Sequence, residues 1–182
     1  LKQRYGDCKD KAALLVALMK AMGVSASPVL VSNAYRDRVS GLLPSPLAFD
    51  HAIVQARVGD QTYLLDGTRG RQTGALRYRS AQGLGQILLA DKDQTGLTTT
   101  PGTAQVVRAE GRDVFHFVKM SEPPVLTTSI TYYGEVAETV RNMLASQSLA
   151  EMQKSQQGTY VRFYPRIVVI EPLKVVEDAE RN

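Results

Sequence analysis

The sequence predicts an α+β fold, and three observations carry that prediction. Residues 7–22, DCKDKAALLVALMKAM, bring Ala12, Leu15, Val16 and Met19 to one face at helical spacing. Residues 51–58 and 61–66, HAIVQARV and QTYLLD, are β-type runs joined through Gly59 and Asp60, a pair suited to a tight hairpin turn. Beyond residue 104, β-type runs return around one further stretch of helical periodicity.

The first helix is punctuated at both ends. Asp7 is a good N-cap, Asp10 places a carboxylate by the positive end of the helix dipole, and Gly23 fits the position just past the last turn. Leu14, Leu18 and Met22 widen the apolar stripe, so the helix is expected to be apolar over most of its surface. Residues 24–32 read as an extended segment with Pro28 near its start. Residues 33–49 read as a long loop with Gly41, Pro44 and Pro46, of the kind that often carries function. After the hairpin come a Gly- and Arg-rich loop, a short apolar run at 86–90 and a Thr/Gly/Pro segment at 95–103. The first domain is expected to end there. Residues 104–118 and 125–133 read as strands, 135–154 as a helix carrying Val136, Val140, Met143 and Leu144, and 159–176 as β structure again. The expected organisation is a core over 1–103 and a β-rich extension with one helix over 104–182. The chain starts at Leu1 and ends with its last apolar stretch barely complete, so it reads as a fragment cut at both ends.

Composition narrows the function classes. With 182 residues, 43% of them hydrophobic and 22% charged, the chain has the make-up of a globular protein able to bury a core. No apolar run approaches the roughly 20 residues that span a bilayer, so no transmembrane segment is expected. A net charge of +4 is mild for a nucleic-acid binder, and Arg69, Arg71, Arg77 and Arg79 sit in a glycine-containing stretch that reads as a solvated loop. One cysteine excludes an internal disulfide framework and a cysteine-based zinc site. His51 and His116 lie far apart without a ligand motif, and residues 67–74 lack the Lys-Ser/Thr ending of a phosphate-binding loop. No metal and no cofactor is therefore expected.

Chemistry concentrates on three residues. Cys8 falls in the first helical turn, where unpaired N–H groups and the dipole favour an anion, and Lys9 and Lys11 add positive charge. If Gly59 and Asp60 make the turn, Val58 faces Gln61, Ile53 lies opposite Asp66 and His51 opposite Thr68. His51 and Asp66 then form a diagonal pair on one face, with Cβ atoms about 7–8 Å apart. A thiol, an imidazole and a carboxylate supply the nucleophile, the proton carrier and the orienting group of acyl transfer. Each residue alone also has an ordinary structural explanation: a buried cysteine, a hydrogen-bonded histidine at a strand start, a turn aspartate before Gly67. Arg4 and Asp50 read as surface ion-pair partners that alternatively orient the site, while Tyr35 and Phe49 suit either a substrate groove or the core.

Taken together, RYGDCKDKA at 4–12, GVSASPVLV at 23–31, FDHAIV at 49–54 and YLLDGT at 63–68 resemble the transglutaminase-like superfamily of papain-like thiol enzymes. In that family the order is also Cys, His, Asp. The resemblance implies a catalytic triad of Cys8, His51 and Asp66, a helix packed on an antiparallel sheet, and an oxyanion hole using the Cys8 N–H with an upstream donor. Residues 132–165 resemble, more loosely, the C-terminal region of bacterial relatives in which this core is flanked by β-rich domains. That likeness implies flanking domains, a protein or peptide substrate and a periplasmic or cell-surface location. The alternative in another class is a catalytically silent fold that serves as a binding or scaffold module of the bacterial envelope.

Overall fold

The structure is a computed structural model that describes residues 4–79, 81, 83–100 and 109–181. The chain divides into two compact units, Leu1–Gly70 with Ala75–Val106, and Arg71–Gly74 with Val107–Asn182. The expected boundary between residues 103 and 104, and the first part of the strand expected at 104–118, lie outside the described residues.

Helix α1 spans Cys8–Ala21. Asp7 caps it, accepting the N–H groups of Lys9 at 2.8 Å and Asp10 at 3.2 Å on Oδ1, while the Asp10 carboxylate accepts the Asp7 N–H at 3.0 Å. This reciprocal box satisfies three of the N–H groups that a helix start leaves without partners. Gly23 ends the helix with φ +78°, and the Val24 N–H closes onto the Met19 carbonyl. The approach to the helix depends on Gly6, because a Cβ there would lie 2.5 Å from the Asp10 Cβ. Gly6→Ala is therefore expected to lower stability by about 1–2 kcal/mol through forced overpacking at the cap, read as a lower midpoint in urea. An unchanged midpoint would show that this entry relaxes freely.

Strands β1 (Ser25–Val31), β2 (His51–Val58) and β3 (Gln61–Leu65) follow. A four-residue helix, α2 (Leu76–Arg79), precedes β4 (Gln86–Leu89) and the short β5 (Thr98–Thr99). They form one antiparallel five-stranded sheet in the order β3-β2-β1-β4-β5. The β2–β3 ladder runs from Val58↔Gln61 to Val54↔Leu65, the register that a Gly59–Asp60 turn imposes. Alternation along the strands then sorts side chains to two faces. Ala26, Ala52, Val54 and Ala56 pack with Ala12 and Val16 of α1, and Val29, Val31, Ile53, Leu64 and Ile87 form a second cluster with Ala81. Small residues opposite α1 let the helix lie close to the sheet.

Two sequence expectations change in this unit. Only one stripe of α1 is covered, and Leu18 and Met22 remain 52% and 71% exposed. The loop at 33–49 contains two 3₁₀ turns, Arg36–Gly41 and Pro46–Ala48, the second capped by Ser45 Oγ accepting the Leu47 N–H.

The second unit contains a hairpin of β6 (Ala109–His116) and β7 (Val125–Tyr132), followed by α3 (Gly134–Ser146) and α4 (Leu149–Val161). The single helix expected at 135–154 is thus two helices. Ser148 breaks it by capping a new start: its Oγ accepts the Glu151 N–H at 3.3 Å, and the Glu151 carboxylate accepts the Ser148 N–H at 2.8 Å. The β structure expected at 159–176 is also absent among the described residues, since α4 runs to Val161 and no strand follows. Val168 and Ile170 stay 72% and 68% exposed, and an apolar run becomes a strand only when a neighbouring ladder takes its N–H and C=O groups. Among the described residues this unit holds two 13-residue helices and one hairpin of 8-residue strands, where the sequence suggested a β-rich extension with one helix.

Among the described residues, no helix is long and apolar enough to cross a membrane.

Candidate functional site

The site is built where β2 begins and β3 ends. His51 is the first residue of β2, paired with the fully buried Val31, and Asp66 follows the last residue of β3. The hairpin register carries both to the same end of the sheet. There His51 Nε2 lies 2.8 Å from Asp66 Oδ2, and the two side chains are only 16% and 11% exposed. An ionised carboxylate can only accept, so Nε2 carries the proton and Nδ1 is the ring nitrogen left for other work.

The second carboxylate oxygen is also engaged. Asp66 Oδ1 accepts the Thr68 N–H at 2.8 Å and the Thr68 hydroxyl at 2.6 Å. Burial pushes the Asp66 carboxyl up, but the hydrogen bonds from Thr68 and His51 outweigh it and hold the group below its ordinary value of 3.8. A carboxyl lowered by folding stabilises the native state above its unfolded value and ceases to do so as pH falls through the native one. The stability gap between wild type and Asp66→Asn is therefore expected to be full at about pH 5 and to shrink as pH falls below 3.8. Urea titrations of both proteins across that range check this, and a gap that persists unchanged in acid would contradict it.

Cys8 stands on the helix that packs against the sheet. It is the first residue of α1, a free and half-buried thiol, held by the Asp7–Asp10 box. It packs, as Leu65 does, against the cluster that includes Ala52; Ala52 and Leu65 are the chain neighbours of His51 and Asp66. The first turns of α1 also adjoin the end of β3, since a Cβ on Gly67 would sit 3.6 Å from the Lys11 Cβ. Strand alternation puts His51 on the face of Val31 and Ile53, whereas Cys8 packs on the Ala52 face. No hydrogen bond joins Cys8 to His51 among the described residues. The structure thus pairs His51 with Asp66 directly, and Cys8, at the start of α1, packs against the other face of the sheet.

No match. Comparison with protein-family models, with curated proteins and with solved structures finds nothing similar to this chain. The weight of a functional reading therefore rests on the residues themselves.

Two further residues shape the site. Asp50 reads from the sequence as a surface ion-pair partner, yet its carboxylate accepts the N–H groups of Asn33 at 2.8 Å and Ala34 at 3.1 Å. Its own N–H donates to the Val31 carbonyl at 3.2 Å. Asp50 thereby ties the start of the 33–49 loop to the residue preceding His51. Thr68 was legible in principle, because Asp-Gly-Thr is a sequence that closes an Asx turn. The Asp50 contacts cross 16 and 17 residues and leave no local signal. Arg4 and Tyr35 are exposed and Phe49 is half-buried. Among the described residues, no group of three or more His, Cys, Asp or Glu side chains is placed to hold a metal ion.

Proposed function

We propose that the chain performs thiol-dependent acyl transfer or hydrolysis at amide bonds of a protein or peptide, with Cys8 as nucleophile, His51 as proton carrier and Asp66 as its orienting partner. The observation that carries this reading is the His51–Asp66 pair, 2.8 Å apart and largely shielded from water, beside a helix that begins with a free thiol. A hydrogen-bonded carboxylate fixes the imidazole tautomer and stabilises imidazolium, the role it plays in nucleophilic triads. A helix start favours the thiolate and offers N–H groups to a developing oxyanion.

In this mechanism the Cys8 sulfur adds to the amide carbon, the C–N bond breaks, and the amine leaves with a proton from His51. Water or a second amine then gives its proton to His51 and adds to the thioester, the C–S bond breaks, and the thiolate returns. The products are an acid and an amine, or a new amide. The resemblance to transglutaminase-like, papain-like enzymes agrees with the order Cys8, His51, Asp66 and with a helix packed against an antiparallel sheet. It also favours the periplasm or cell surface as the location.

The missing Cys8–His51 hydrogen bond favours a second reading, a silent fold that serves as a binding or scaffold module. Such bonds are often long in resting enzymes and tighten on substrate. Incubation with acetylated glutamine- and asparagine-containing peptides plus hydroxylamine separates the two. The enzyme reading expects an acyl adduct on Cys8 by intact-protein mass spectrometry and hydroxamate product, and a chain that gives neither with any amide peptide is the module.

A further inference from the structure

We infer that Thr68 is a positioning residue of the proposed site: it occupies Asp66 Oδ1 so that Oδ2 alone faces the imidazole of His51. This inference rests on the acyl-transfer reading for its purpose, though its geometry stands by itself. Asp66 lies beyond the last residue of β3, so no ladder hydrogen bond of that strand fixes it. A carboxylate at the end of a strand is free to rotate about χ2, and rotation would exchange the oxygen presented to His51. Two short bonds from one residue, 2.8 Å from the Thr68 N–H and 2.6 Å from its hydroxyl, remove that freedom. The Arg69 N–H closes the same turn on the Asp66 carbonyl at 3.2 Å.

The consequence reaches the ring. With Oδ1 consumed, the carboxylate plane is set by Thr68, and Oδ2 receives the Nε2 proton at 2.8 Å. The imidazole is then held in the tautomer that leaves Nδ1 without a proton, as a general base requires. Among the described residues Thr68 hydrogen-bonds to Asp66 and to neither thiol nor imidazole, so it acts through Asp66. Serine keeps both donors, whereas valine keeps the shape and the N–H but loses the hydroxyl.

The test reads the ring itself. The chain has two histidines, so ring ¹⁵N spectra of wild type, Thr68→Val, Thr68→Ala and Thr68→Ser are assigned with a His116→Gln reference. Wild type and Thr68→Ser are expected to show a single Nε2–H tautomer for His51. Thr68→Val and Thr68→Ala are expected to show a mixture with the Nδ1–H form, with Cys8 alkylation at about pH 6 slowed roughly five- to tenfold. Thr68 is exposed, and two hydroxyl-free variants guard against one that does not fold. A wild-type tautomer ratio retained in both of them, with the fold intact, would overturn the inference. The spectra do not involve Cys8, so failure of the acyl-transfer reading appears separately, as alkylation indifferent to His51→Ala.

Discussion

Replacing Cys8 by Ala is expected to abolish hydroxamate formation from amide peptides, while His51→Ala lowers it about 10²–10⁴-fold and leaves the peptide bound. The asymmetry follows from the roles. Without the sulfur no thioester forms, and a backbone oxyanion site has nothing to stabilise. Without the imidazole the thiol persists, but the departing amine must take its proton from water and the attacking water has no base. Asp66→Asn is expected to fall between wild type and His51→Ala, because an amide can still accept a bond from the ring but cannot stabilise imidazolium as a charge does. Circular dichroism with the urea midpoint separates lost chemistry from lost fold in the three variants, above all in His51→Ala, which removes a largely buried ring. Equal activity of Cys8→Ala and wild type would end the enzyme reading.

The second large effect concerns the scaffold. Ile53 is 1% exposed, lies on β2 two residues after His51, and pairs with the fully buried Val29 across the β1–β2 ladder. It belongs to the cluster that also contains Val31, Leu64 and Ile87, so it joins four strands of the sheet. Ile53→Ala is expected to cost about 3–4 kcal/mol, the transfer term of the removed carbons plus a cavity that a tight sheet face cannot close. Ile53→Val is expected to cost about 1 kcal/mol. Equilibrium urea unfolding measures both. Because the loss sits beside the strand start that carries His51, weaker alkylation of Cys8 in Ile53→Ala at temperatures where it remains folded would show that the core sets the site. A cost well under 1 kcal/mol for Ile53→Ala would contradict the packing described.

The parts legible in the sequence are those governed by neighbours along the chain. Asp7 with Asp10 and Gly23 marks both ends of α1, and Gly59-Asp60 fixes the β2–β3 register and with it the approach of His51 to Asp66. Longer-range choices were not legible. Nothing in residues 86–89 states that β4 pairs with β1, or that β1 stands in the middle of five strands. The Asp50 clamp belongs to the same class, since its partners come close only after the 33–49 loop closes. In the second unit the opposite failure occurs. A readable capping box at Ser148 and Glu151 starts a second helix after the one that carries Val136 to Leu144, and the apolar run around Val168 finds no strand to pair with among the described residues. Periodicity reports what a segment is able to bury, and the partner decides whether it does.

The central claim is that Cys8, His51 and Asp66 act as one unit. The rate of Cys8 alkylation by iodoacetamide from about pH 5 to 9, in wild type, His51→Ala and Asp66→Asn, tests it most directly. The account predicts that wild type reacts well below neutral pH, that His51→Ala loses this acid-side reactivity, and that Asp66→Asn loses part of it. Three superimposable profiles, each matching an unfolded cysteine peptide, would contradict it.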